Sequence, residues 1–293
     1  MAGPIGPIRT RMPAAAAESG ALDRASGPTE PGADGFLRLV VARVADRTRI
    51  VDLECSGPVQ VLRCHSLDGP SPDVASVMIA SPSGGVLQGD RLRISVEVQT
   101  GARLLLETQS ATRLYRMPVR GARIDAQYRV EAGGWLQFVP DPYIPFAGSD
   151  TTIESHVAAD PSATVLIGEV VAAGRVARGE ILAMRRFESA LTVTDLEGRV
   201  RFTDAAVLEE GATLADAGML GGHLALGSLF VIAPAADPGA LRAAVAATDA
   251  ACRTFWGAST LPDQAGAWLR VLAPDVAAAR SVVQTALAAH LKP

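Results

Sequence analysis

Lysine is almost absent from this chain. Of its 27 basic residues only Lys292 is lysine and the rest are arginine, set against 31 acidic residues for a formal net charge of −4. That balance excludes a broadly basic nucleic-acid surface, and the missing internal lysine excludes a phosphate-binding P-loop, which needs one inside its glycine-rich turn. Cysteine is scarce too. Cys55, Cys64 and Cys252 are odd in number and too sparse for a disulfide framework, which points to a reducing, cytoplasmic setting. No apolar run approaches the roughly 18 residues that cross a bilayer, and the alanine run at 14–17 is too short for a signal-peptide core. Acidic Glu18, Asp23 and Glu30 argue against an organelle transit peptide. Aromatic residues make up only 4% of the chain, so its core is expected to be built from small aliphatic side chains.

The 293 residues that remain to be explained are ample for a buried core. Residues 1–35 are rich in Pro, Gly, Ala and Ser without hydrophobic periodicity, the pattern of a disordered tail. From Phe36 the chain changes to short apolar runs punctuated by turn formers, at 37–44, 59–64, 74–80, 92–99, 102–108, 123–130, 135–139, 151–157, 164–171, 184–194 and 199–208. In 92–99 the alternation is explicit: Leu92, Ile94, Val96 and Val98 share one face, and Arg93, Ser95, Glu97 and Gln99 the other. So many strands without an intervening helix predict a mainly β chain of stacked sheets in a β-helix-like arrangement, although no strict repeat is evident. Helical spacing appears only near the end. Leu241, Val245, Thr248, Cys252 and Phe255 recur at three or four residues behind an Asp237-Pro238 cap, and a second helix from about Asp275 carries Val276, Val283, Leu287 and Leu291 on its apolar side. A strand at 268–272 lies between them. No linker is visible, so residues 36–293 are expected to form one β-rich domain with two C-terminal helices.

Catalytic signatures are missing. The four histidines, His65, His156, His223 and His290, stand apart, and there is no Gly-x-Ser-x-Gly elbow or Cys-x-x-Cys pair. Adjacent Cys64 and His65 lie on a predicted strand, where neighbouring side chains face opposite ways, so they are poorly placed to chelate one metal ion. The glycine-rich run from Gly84 to Asp90 leads into a strand instead of a helix, so no helix N-terminus is there to receive a phosphate.

The polar chemistry is concentrated in four segments. In the first, Gly84, Gly85 and Gly89 permit positive backbone angles or close contact, and Asp90 is an acceptor; the alternative is a tight loop whose Asp90 satisfies its own backbone. The second, 108–116, holds Gln109, Arg113, Tyr115 and Arg116, and reads equally as an exposed loop with solvated charges. The third, 140–146, has three prolines that hold the chain extended and present aromatic rings, suited either to docking a partner or to packing within the chain. The fourth follows the apolar strand that carries Glu169 and interleaves Arg175, Arg178 and Glu180 with glycine; the alternative to a working site there is an internal Arg–carboxylate network.

These segments, in this order, resemble the urease accessory protein family called UreD, or UreH in some systems. The likeness rests on Pro82-x-Gly84-Gly85-x-x-x-Gly89-Asp90, on Thr108-Gln109-Ser110-Ala111-Thr112-Arg113-x-Tyr115-Arg116, on Pro140-Asp141-Pro142 and on Gly174-Arg175-x-Ala177-Arg178-Gly179-Glu180. It extends from about Phe36 to the C-terminal helix and includes Gly257-Ala258-Ser259. Arg113 stands where lysine is common in the family, and Ser83 where glycine or proline is common.

The resemblance implies a non-enzymatic chaperone that joins UreF and the GTPase UreG on apo-urease while carbon dioxide and two nickel ions are installed. It implies no tightly bound cofactor: nickel is carried transiently, and GTP acts only through the partner GTPase. It also implies an internal nickel passage, in which Asp90 matches an acidic position and Asp204 falls where members carry another carboxylate. Partner surfaces are then expected on 140–146 and the C-terminal helices, with no nucleic-acid or membrane partner. Two other readings compete: a hydrolase or lyase centred on the carboxylates of Asp90, Glu169 and Glu180, and a structural adaptor without a metal role.

Overall fold

A computed structural model describes residues 32–63, 73–211, 220–234, 236–247 and 253–289. The Cys64-His65 pair, Thr248, Cys252, Leu291 and most of the predicted tail fall outside the described residues.

Four consecutive coils form the body. Each runs from a strand of one sheet, through a corner, to a strand of the other. The first three are β4 (Ala75–Ala80), β5 (Gly85–Val86) and β6 (Arg91–Val98); β7 (Arg103–Thr108), β8 (Thr112–Leu114) and β9 (Ala122–Val130); and β10 (Trp135–Phe138), β11 (Tyr143–Pro145) and β12 (Asp150–Ala159). The fourth joins β13 (Thr164–Ala172) through a 3-10 turn at Val176–Arg178 to β14 (Arg186–Thr194). Equivalent strands stack in parallel: β6, β9, β12 and β14 in one sheet, β4, β7, β10 and β13 in the other, and β5, β8 and β11 along the corner. The predicted β-helix-like stack is therefore the observed architecture. Successive coils differ in length around about 30 residues, which is why no strict repeat is legible.

Both ends of the stack are closed by strands from elsewhere in the chain. On the first sheet, β1 (Asp34–Val44) runs parallel to β6 and carries β2 (Arg47–Ser56) antiparallel on its outer side, and β15 (Val200–Glu209) closes the far end antiparallel to β14. On the second sheet β3 (Gln60–Arg63) pairs with β4, while β16 (Ala225–Ile232), β18 (Gly266–Ala273) and β17 (Phe255–Thr260) extend the sheet beyond β13. The outer face of this second sheet is covered by α1 (Pro238–Ala246) and α2 (Val276–Ala288). Asp237 accepts from the backbone N–H groups of Gly239 and Ala240, and Asp275 from that of Ala278, so each helix begins at a capping aspartate. Leu241, Val245, Val282, Val283 and Leu287 pack on Leu166, Val170, Leu229, Leu269 and Val271. Among the described residues no helix is long and apolar enough to cross a membrane.

The first predicted helix needs correction. It was expected to reach Phe255, but α1 ends at Ala246, and Phe255 opens the edge strand β17 opposite Leu272 with 71% of its surface exposed. Its spacing from Leu241 and Val245 is coincidental, because pairing with β18 sets its conformation.

The space between the two sheets is apolar in two parts. One is packed around Leu39, Val96, Leu104, Val165, Val193 and Phe202, the other around Val86, Ile124, Ile153, Val171, Phe187 and Leu208. Inward-facing positions alternate along each strand, and between the two parts several strands place a polar residue instead.

Candidate functional site

On β13 the inward series is Val165, Ile167, Glu169, Val171; on β14 it is Phe187, Ser189, Leu191, Val193; on β15 it is Phe202, Asp204, Ala206, Leu208. On β16 Ser228 lies between inward Leu226 and Phe230, and on β18 Arg270 lies between Trp268 and Leu272. The register pairs Glu169 with Ser228 and Ser228 with Arg270. These residues form a polar layer across the interior, at the boundary between the two apolar clusters.

Within the layer, Ser189 Oγ donates to Glu169 Oε2 at 2.8 Å, and Arg270 Nη2 donates to Asp204 Oδ2 at 2.6 Å. Both contacts join one sheet to the other. Ser228 Oγ and Arg270 Nε are buried without a partner. Glu169 is half-buried by surface area, but it sits deep enough that loss of water dominates its titration. Burial pushes its carboxyl up to about 7, against the hydrogen bond from Ser189 and the attraction of Arg270, and the nearby Asp204 charge adds to the rise. Tyr143 of β11 lies close to Glu169: burial pushes its phenol up, and the Glu169 charge adds to that shift.

Tyr143 also lines a cavity of about 110 Å³, enough for several water molecules. Gly84, Gly85, Gln109, Thr112, Tyr128, Phe138 and Ser155 line it too, with Gln109 exposed and Tyr128 and Phe138 buried. The first two sequence segments thus meet where β5 stacks on β8. Gly85 is required there, because a Cβ would stand 2.2 Å from the Arg113 carbonyl oxygen. Gly84 turns with a φ of +70° beneath the exposed Arg113 guanidinium, and Tyr115 packs edge-on against Phe146 at 5.1 Å. The stem of exposed Arg116 covers Gly148.

Asp90, only 2% exposed, closes the glycine loop. Its Oδ2 accepts from the Leu87 N–H at 2.8 Å and its Oδ1 from the Ala33 N–H at 3.0 Å, which ties the loop to the start of β1. Gly89 turns at a φ of +76°, with Gly32 packed against its carbonyl. Each Asp90 oxygen therefore already has a backbone donor, the arrangement of the tight-loop alternative.

Glu180 and Arg175 form a two-point ion pair, with Nε to Oε2 at 2.7 Å and Nη2 to Oε1. Glu180 Oε2 also accepts from the Ala147 N–H at 3.0 Å. The Arg175 hydrogen bond and then the Ala147 N–H hold the Glu180 carboxyl below the usual range. The Arg175 guanidinium lies 3.9 Å over the Phe146 ring, and Arg178 remains exposed nearby. This segment is an internal Arg–carboxylate brace. The rings of 140–146 are likewise used inside the chain, Phe146 under Tyr115 and Arg175 and Tyr143 against Phe187 at 6.0 Å, which is the packing of the within-chain alternative.

The three carboxylates of the hydrolase reading do not converge. Asp90 is held by backbone N–H groups, Glu169 by Ser189 and Glu180 by Arg175, with no shared partner. Among the described residues no three His, Cys, Asp or Glu side chains form a metal cage. Glu169 and Asp204, by contrast, belong to one layer. Sequence reading missed Tyr143 as a cavity residue and Ser189, Ser228 and Arg270 altogether. The available signal was a polar side chain in the inward phase of an apolar strand.

A family model described as UreD urease accessory protein matches residues 33–293. The urease accessory protein UreD of Haloarcula marismortui is 38% identical over 245 residues, covering 83% of this chain and 81% of the relative. That of Mycolicibacterium gilvum is 35% identical over 273 residues, covering 92% and 98%. The urease accessory protein UreD 2 of Streptomyces griseus is 32% identical over 250 residues, covering 84% and 85%. With the family model spanning the coils, the polar layer and both helices, the chain belongs to the UreD family of urease accessory proteins.

Proposed function

We propose that this protein is a non-enzymatic, cytoplasmic chaperone of urease maturation that works with UreF and the GTPase UreG on apo-urease and routes nickel through its interior. The observation that carries this reading is the polar layer of Glu169, Ser189, Asp204, Ser228 and Arg270 set between two apolar clusters. A purely structural solenoid has no need of it, since apolar residues of similar volume would fill the same positions at equal or greater stability. Its donors suit the cargo. Ni²⁺ accepts carboxylate, hydroxyl and water oxygen, and transit needs contacts strong enough to admit an ion and weak enough to release it. In this reading the cavity lined by Gln109 and by Tyr143, which lies close to Glu169, is the approach to that carboxylate. No tightly held cofactor is required; nickel is cargo, and nucleotide chemistry belongs to the partner GTPase.

In this reading Asp90 acts by closing the loop at the cavity mouth, and Glu169 and Asp204 are the carboxylates the ion meets. The test is urease produced without this protein under limiting nickel. The expected product is full-length enzyme that is nickel-poor and inactive; fully metallated, active enzyme contradicts the proposal.

A further inference from the structure

Arg270 lies in the polar layer that the proposed route crosses. It projects into the inward phase of β18, and its ion pair with Asp204 is, among the described residues, the one that ties a strand of one sheet to a strand of the other. Its Nε has no partner, and in the neighbouring register position Ser228 Oγ, fully enclosed, has none either. Buried polar atoms left unsatisfied are costly, so two in one layer call for a reason beyond packing. A buried hydroxyl without a partner, set in register between Glu169 and Arg270, is a donor available to complete a ligand set in this layer.

We infer that Arg270 is a tethered cation occupying the position in which a divalent ion would bridge Asp204 and Glu169, so that an ion enters this layer only by displacing the guanidinium from Asp204. The inference rests on the nickel-passage reading above and names the residue that keeps the passage from becoming a trap. Two open carboxylates with two hydroxyls beside them would retain a divalent ion. A guanidinium on a flexible stem neutralises one of them, does not lose its charge, and competes from within the same molecule at high effective concentration. The side chains of Arg270 and Asp204 are 29% and 26% exposed, so a displaced guanidinium has solvent to turn into.

The test is calorimetric titration of the purified full chain with NiCl2 at pH 8. Arg270→Gln is expected to bind Ni²⁺ about tenfold tighter than wild type or more, because the intramolecular competitor is gone. Arg270→Lys, which keeps the charge, is expected to stay near wild type. Adding Asp204→Asn to Arg270→Gln is expected to cancel the gain. Wild-type affinity in a folded Arg270→Gln protein, or a gain that survives Asp204→Asn, overturns the inference. If Arg270→Gln does not fold, Arg270→Met supplies the same uncharged comparison at similar volume. Failure of the underlying passage reading has a different signature: urease would fill with nickel even when Asp204 and Glu169 are both neutralised. Failure of the Arg270 inference alone leaves that loss of nickel in place and removes only the change in affinity.

Discussion

Asp90 shows how one buried carboxylate can be committed entirely to holding a loop. Both of its oxygens hold backbone N–H groups, and one of those contacts bridges to Ala33 at the start of β1. Asp90→Ala is expected to lower the unfolding free energy by about 3 kcal/mol, the loss of two charge-assisted hydrogen bonds, with Asp90→Asn intermediate. Urea titration checks this; an Asp90→Ala protein of wild-type stability would remove the structural role. Glu169 acts differently. Its carboxyl titrates at about 7 when folded against an ordinary 4.5, so the native state holds the proton more tightly than the unfolded chain does. Stability contributed by this group therefore falls as pH rises from about 4.5 to about 7, and the deficit is complete above that window. The charged and titratable groups around it are Asp204, Arg270 and Tyr143, with the Ser189 hydroxyl as its donor. Glu169→Gln is expected to be more stable than wild type at pH 8 by about 3 kcal/mol, a difference that vanishes below pH 4. Equal stability of the two proteins at both pH values would show that burial does not govern this side chain.

The corner of the solenoid is the most demanding element, because β5 and β8 approach too closely there for a side chain at position 85. Gly85→Ala places a methyl group 2.2 Å from the Arg113 carbonyl oxygen. It is expected to cost about 3 kcal/mol or more, read as a lower melting temperature or loss of soluble protein. Next to it, the Arg175–Glu180 brace holds the turn before β14 against Ala147. Glu180→Gln is expected to speed hydrogen exchange at the Ala147 amide while leaving amides in β12 and β14 unchanged; protection equal to wild type would show that the brace is dispensable. Elements were legible in the sequence where one face met a core and the other met water, as in β6 and β9. β2 escaped because a bulge opposite Val40 and Val41 shifts its inward phase between Ile50 and Leu53. β16 escaped because its eight residues are all buried, one face in the solenoid and the other under the helices, leaving no alternation to read. The site was legible in part for the same reason. Local motifs marked Asp90 and Glu180, which serve local structure, whereas Ser189, Ser228 and Arg270 come together only when strands far apart in sequence are stacked.

At the scale of the whole molecule, the fold sets two apolar clusters end to end and puts charge between them. The last coil places Glu169 on one wall and Ser189 on the other, and the added strands β15, β16 and β18 bring Asp204, Ser228 and Arg270 to complete the layer. The outer face of one sheet is sealed by α1 and α2, while the opposite sheet carries ion pairs such as Arg123 with Glu154 and Arg186 with Glu188 on its open face. The proposed nickel route therefore runs through the interior, and the proposed partners would meet the outer surfaces. The most direct measurement is the nickel content, by elemental analysis, of urease matured with the Glu169→Gln/Asp204→Asn protein under limiting nickel, compared with wild type at matched stability and matched assembly with its partners. The expected result is urease with nickel reduced about tenfold or more. Urease filled to the wild-type level by that doubly neutralised protein would contradict the interior route.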